Sequence, residues 1–310
     1  MPRSLAMEIL TAIAASARHS RRHHEDGPSV ERDYELGEFD SVHIAGPCDV
    51  EIRTGTPAAV SASGPEWALD NLSVEVDGDR LVIIGDECED VDVAITVPRL
   101  RKLRLDGSGD VSLDGATGES FECAVCGSGD VSVGSVDVRS FNLSDAGSAD
   151  VRIEKVRSSE FEATIMGSGD LALDAVESSA FKLTMNGSGD ALVGEYCGDA
   201  LEARLTGSGD LAIDSAEASA VKLASFGSGD IFIAGGSAGN STFETAGSGD
   251  ISAEGLAVEQ TSISVYGSGD VSAQASGNAE VIVMGSGDVR ISGGAKCTVS
   301  GGGSGEVRFS

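Results

Sequence analysis

Aromatic side chains are scarce in this sequence, at 4% of residues, with one Trp, three Tyr and nine Phe. That leaves little material for platforms on which bases or sugars stack. Basic residues are also few: 21 Lys and Arg stand against 51 Asp and Glu, a formal net charge of −30. Beyond aiding solubility, such a surface repels nucleic acid and anionic lipid and favours cations or basic partners. No run approaches the roughly 18 apolar residues of a membrane span, so no membrane insertion by a helix is expected. All four histidines, at 19, 23, 24 and 43, precede residue 107. The six cysteines are scattered at 48, 88, 123, 126, 197 and 297. Cys123-x-x-Cys126 lacks a second pair to complete a zinc site, so these thiols read as small core fillers. Cys48 and Cys88 are candidates to pair in an oxidising compartment.

What is abundant is glycine, at 42 residues, and it is periodic. The tetrapeptide Gly-Ser-Gly-Asp, with close variants, begins at 107, 127, 147, 167, 187, 207, 227, 247, 267, 285 and 303. The spacing is 20 residues through 267 and 18 thereafter. A fixed period of this length marks stacked units that cannot bury an apolar face alone. After each Asp comes an aliphatic residue, from Val111, Val131 and Val151 to Val271, Val289 and Val307. Two residues on lie Leu113, Val133, Ile153, Leu173 and Val193. A second strand is expected to start at Phe121, Phe141, Phe161 and Phe181. Period-two alternation bounded by glycine reads as short strands. Between the inward positions, Glu162, Lys182, Glu202 and Lys222 would place opposite charges side by side in successive coils. These patterns predict an all-β, right-handed parallel β-helix of about ten coils, roughly 50 Å long, over residues 107–310.

Glycines before the Asp suggest corners with positive φ, although Ala149 replaces one of them. Stacking would align Asp110, Asp130, Asp150, Asp170, Asp190, Asp210, Asp230, Asp250, Asp270 and Asp288, with Glu306 closing the row. Two devices could offset the repulsion along this ladder. Each carboxylate could accept from backbone N–H groups of its own turn and from the motif serines. Alternatively the row could bind a cation, Ca²⁺ above all. The motif does not match the nonapeptide of calcium-binding β-rolls. No catalytic residue is expected.

Residues 29–106 lack the repeat but show strand patterns in VHIAG, DVEIR, LSVEV and RLVII. Asp77-Gly78-Asp79 reads as a hairpin turn and PEWALDNL as a short helix. This segment is expected to cover one end of the β-helix, and the other end, at Ser310, to be bare or to meet another subunit. Arg99, Arg101, Lys102 and Arg104 form a dense basic patch of mostly outward strand residues. Residues 1–28 read as a signal peptide, with Ala15-Ser16-Ala17 as cleavage site, and a linker, RHSRRHHE. Export to the periplasm or cell surface is therefore expected; without a working signal the chain would be cytoplasmic.

FDSVHIAGPCDVEIRTG, PEWALDNLSVEV, VPRLRKLRLDGSGDV and the GSGD repeats resemble the bacterial family called putative auto-transporter adhesin, head GIN domain. The resemblance implies a β-helix-like solenoid in mostly exported proteins and transfers no catalytic residue. Three functions follow for testing. The first is a non-catalytic envelope or surface protein binding an extended polymer, glycan or protein, with Tyr196, Phe226, Phe232 and Tyr266 as candidate contacts. The second is a β-helix polysaccharide lyase or hydrolase, which needs two carboxylates made different by their surroundings. The third is a filament or assembly element.

Overall fold

The structure, a computed structural model, describes residues 28–310; the expected signal peptide and the His-rich linker lie outside the described residues, apart from residue 28. The repeats form a parallel β-solenoid. Strands β9 (Val111–Val125), β10 (Val131–Asp145), β11 (Val151–Ile165), β12 (Leu171–Met185), β13 (Ala191–Leu205) and β14 (Leu211–Ser225) are 15 residues each and occupy successive coils. Then come β15 (Ile231–Ile233), β16 (Gly236–Thr245), β17 (Ile251–Val265), β18 (Val271–Val283), β19 (Val289–Ser292), β20 (Lys296–Gly301) and β21 (Val307–Phe309). Neighbours pair in register at the repeat offset, for example Val131↔Val151 and Phe141↔Phe161. The shorter period enters between β17 and β18, where the register shifts between Ala253 and Ala257 and again between Val258 and Gln260.

The two strands expected per coil are one hydrogen-bonded strand with two breaks. Around β10 the pairing skips Gly134 and Arg139. The middle stretch carries an inward column that the alternation did not bring out: Ala116, Val136, Val156, Val176, Tyr196 and Ala216, all buried. Phe121, Phe141, Phe161 and Phe181 stack with centroids 5.5, 4.6 and 4.7 Å apart. Where the next coils carry Leu201 and Val221, Tyr196 reaches in from the neighbouring column, its centroid 6.0 Å from Phe181. Its hydroxyl donates to the carbonyl of Ala200 at 2.7 Å and lies 3.0 Å from that of Ser178. Tyr196 is 1% exposed, so it is a core residue and not a surface contact. The alternating outward column forms as expected, with Lys182–Glu162 at 2.6 Å and Lys222–Glu202 at 2.8 Å.

The segment before the repeats supplies two coils out of chain order. Its elements are β1 (Ser29–Tyr34), β2 (Ser41–Ala45), β3 (Asp49–Thr54), β4 (Ala59–Pro65), helix α1 (Glu66–Asp70), β5 (Leu72–Asp77), β6 (Arg80–Gly85), β7 (Asp92–Val97) and β8 (Lys102–Leu105). Strand β2 lies between β6 and β8, and β3 between β7 and β9, all parallel. The chain thus lays down β2 and β3, leaves through β4, α1 and β5, and returns as the outermost coil, β6 and β7. That coil's outer edge is covered by antiparallel β5 on β6 and β4 on β7, with β1 on β4. The hairpin at Gly78, with φ 69°, and the short helix form where the sequence suggested. In the basic patch, Arg101 pairs with Asp40 and Asp79, Lys102 with Glu122 and Arg104 with Asp106. These cations are spent within the molecule.

Candidate functional site

Glycine recurs at the corners for a reason other than the expected one. None of the motif glycines lies in the positive-φ region. The corners instead stack so closely that a Cβ has no room. From Gly107 to Gly285, a Cβ on the first motif glycine would fall 1.7–2.0 Å from the carbonyl oxygen of the glycine one coil earlier. Close backbone approach, not handedness of the turn, selects glycine here.

That stacking aligns the Asp row, and hydrogen bonds run through it. The backbone N–H of Asp130 donates to Asp110 Oδ1 at 2.9 Å, and Asp210 N–H to Asp190 Oδ1 at 2.8 Å. The pattern continues through Asp230, Asp250, Asp270 and Asp288 to Glu306, at 2.7–2.8 Å. The amide therefore comes from the next coil rather than from the same turn. Sequence reasoning missed the first rung: Asp110 N–H donates to Asp49 Oδ1 at 2.9 Å, across 61 residues of chain. Gly46-Pro47-Cys48-Asp49 is a worn copy of the motif, and that was the available signal.

Rungs Asp130 to Asp210 are half-buried and the later ones exposed. Burial pushes the Asp170 carboxyl above the usual range; the amide of Asp190 opposes this, while the charges of Asp150 and Asp190 add to it. Asp210 is raised in the same way, by burial first and by Asp190. Among the described residues, no three His, Cys, Asp or Glu side chains converge in a cage that could hold a metal ion. The candidate calcium ligands are thus aligned in single file, one per coil.

At its N-terminal end the ladder runs into a groove of about 640 Å³. Its floor includes Asp49, Asp110, Asp130 and Asp150, with Arg152 beside them, and Glu31, Ser61 and Ser63 of β1 and β4 also line it. The remaining candidates scatter. Phe226 lies under the Arg204 guanidinium, 3.9 Å from its centroid, Phe232 is half-buried, and Tyr266 is 50% exposed. Cys123 faces the core, where burial pushes its thiol up to about 12, while Cys126 is exposed, so the two do not form a site. One further carboxyl is singular: Asp145 replaces an aliphatic residue in the column of Val125 and Ile165 and is 1% exposed. Gly147 N–H donates to its Oδ1 at 2.9 Å, Oδ2 has no partner, and burial raises its pKa.

The fold and this row define a glycine-cornered β-solenoid with an acidic ladder along one side. The chain belongs to the family described as putative auto-transporter adhesin, head GIN domain, whose model matches residues 38–196 and 192–295. Solved structures similar to it include a putative adhesin from Bacteroides fragilis, at 17% identity and TM-score 0.40, covering 92% of this chain and 98% of that one. A putative adhesin from Parabacteroides distasonis matches at 19% identity and TM-score 0.42, again over 92% and 98%. A putative lipid binding protein from the same species matches at 19% and 0.38 over the same shares. No curated protein matches the chain.

Proposed function

We propose that this chain is an exported, non-catalytic envelope or cell-surface protein, adhesin-like in role, that binds an extended, positively charged polymer or protein segment along the acid ladder. The observation that carries this reading is the ladder itself. One carboxylate per coil, about 4.8 Å from the next, faces a ligand with the same group many times over. Weak contacts made in series along one chain add as multivalent binding does. The groove at Asp49 and Asp110 gives such a chain a walled entry. The family description supports the adhesin-like role. An anionic lipid ligand fits less well, because the net charge of −30 opposes its headgroup.

Catalysis is disfavoured because the rungs stand in single file, one per coil, each with its Oδ1 held by the amide of the next coil. Glycoside cleavage needs one carboxyl held protonated beside another held ionised, both within reach of substrate. Asp145 is distinct enough, but it is sealed in the core. The test is binding of a basic extended polypeptide, oligolysine, to the full chain and to a variant carrying Asp190→Asn, Asp210→Asn and Asp230→Asn. The expected result is salt-sensitive binding weakened at least tenfold in the variant. Equal binding by both proteins would move the site off the ladder.

A further inference from the structure

Among the described cysteines, Cys48 and Cys88 stand apart. Cys48 immediately precedes β3, and Cys88 lies in the connection from β6 to β7. These are adjacent coils: Asp49 pairs with Asp92, and Gly46 stacks on Gly85. Both thiols are wholly buried, and each is the main influence on the other. Cys88 Sγ occupies the space that a side chain on Gly85 would need, which aims the sulfur into the stack. The other cysteines are differently placed, with Cys126 and Cys197 exposed and Cys123 enclosed in the core. The coil that Cys88 anchors reached its place by the excursion through β4, α1 and β5, so no consecutive strand connection ties it to β3.

We infer that Cys48 and Cys88 are a disulfide site that clamps the outermost coil to the second. The reaction is thiol–disulfide exchange with a disulfide oxidant. Both S–H bonds are lost, one S–S bond forms, and the two electrons and two protons reduce the oxidant to two thiols. Because both sulfurs are buried, the bond forms as the chain folds, before the end closes over them. The cross-link closes the excursion loop, restricting the unfolded chain and raising stability.

The test refolds the full reduced chain in a glutathione redox buffer, then blocks remaining thiols and maps peptides without reduction. The expected product is a linked peptide joining Cys48 to Cys88. Its thermal midpoint should exceed that of reduced protein by on the order of 5 °C, a gain absent in Cys88→Ser and kept in Cys126→Ser. Should Cys88→Ser fail to fold, the mapping of the unsubstituted chain still decides. Recovery of Cys48 and Cys88 as blocked thiols, or linked to other cysteines, overturns the inference.

Discussion

Replacing Asp210 by Ala and, separately, by Asn divides the two forces that meet at each rung. Asp210 Oδ1 accepts from Asp230 N–H at 2.8 Å, and Asp190 and Asp230 lie on either side in the ladder. Losing a hydrogen bond to a charged acceptor costs about 1.5–3 kcal/mol. Against that, like charges about 4.8 Å apart repel by about 1 kcal/mol in water and about 3.5 kcal/mol at an effective dielectric of 20. Asn keeps an acceptor for the Asp230 amide and removes the charge, so Asp210→Asn should equal or exceed the parent, by about 1 kcal/mol. Ala removes charge and acceptor together and should lie about 2 kcal/mol below Asn. Urea unfolding midpoints at constant slope make the comparison. The raised pKa of Asp210 adds a pH signature. A carboxyl whose folded pKa is raised helps fully below its ordinary 3.8, and that help is lost as pH climbs through the raised value. The advantage of Asn over the parent should therefore be least near about pH 3 and complete at about pH 7. Equal losses in both variants, or an advantage independent of pH, would refute the picture of an amide-braced row of repelling charges.

Other perturbations test other parts of the stack. Gly187→Ala would put its Cβ 1.8 Å from the Gly167 carbonyl oxygen and should cost about 3 kcal/mol or more, whereas Gly37→Ala, with nothing within 4 Å, should cost less than about 0.5 kcal/mol, both by urea unfolding. Phe161→Ala empties a site between rings 4.6 and 4.7 Å away and should cost about 3–5 kcal/mol in the same assay. Burial raises the Asp145 pKa, so its contribution to stability falls as pH rises above about 4; unfolding midpoints of Asp145→Asn should decline less between about pH 4 and pH 7 than those of the parent. In EDTA and in millimolar Ca²⁺ the thermal midpoint should coincide, since the amides already brace the row; a strong rise with Ca²⁺ and none with Mg²⁺ would make the ladder a cation site.

The period alone made the solenoid, the aspartate row and the Glu–Lys column legible, because a residue's position in the period decides its neighbours two coils running. What stayed hidden turned on contacts between backbones. The motif glycines were read as positive-φ corners, yet what requires them is the carbonyl oxygen one coil away, which no single-coil argument contains. Asp49 escaped because the excursion through β4 and β5 separates it from Asp110 by 61 residues instead of the repeat length. Tyr196 looked like a surface ring because aromatic residues are few, though its alignment with Val176 and Ala216 already put it in an inward column.

The most direct test of ladder binding is the length dependence of affinity for oligolysines, followed by calorimetry at fixed salt. The ladder runs roughly 50 Å, about 15 residues of extended chain. Affinity should keep rising with oligomer length up to about that size, and the three-Asn variant should lose the rise. Affinity that saturates at two or three residues, or that grows identically in the variant, would contradict an extended binding face.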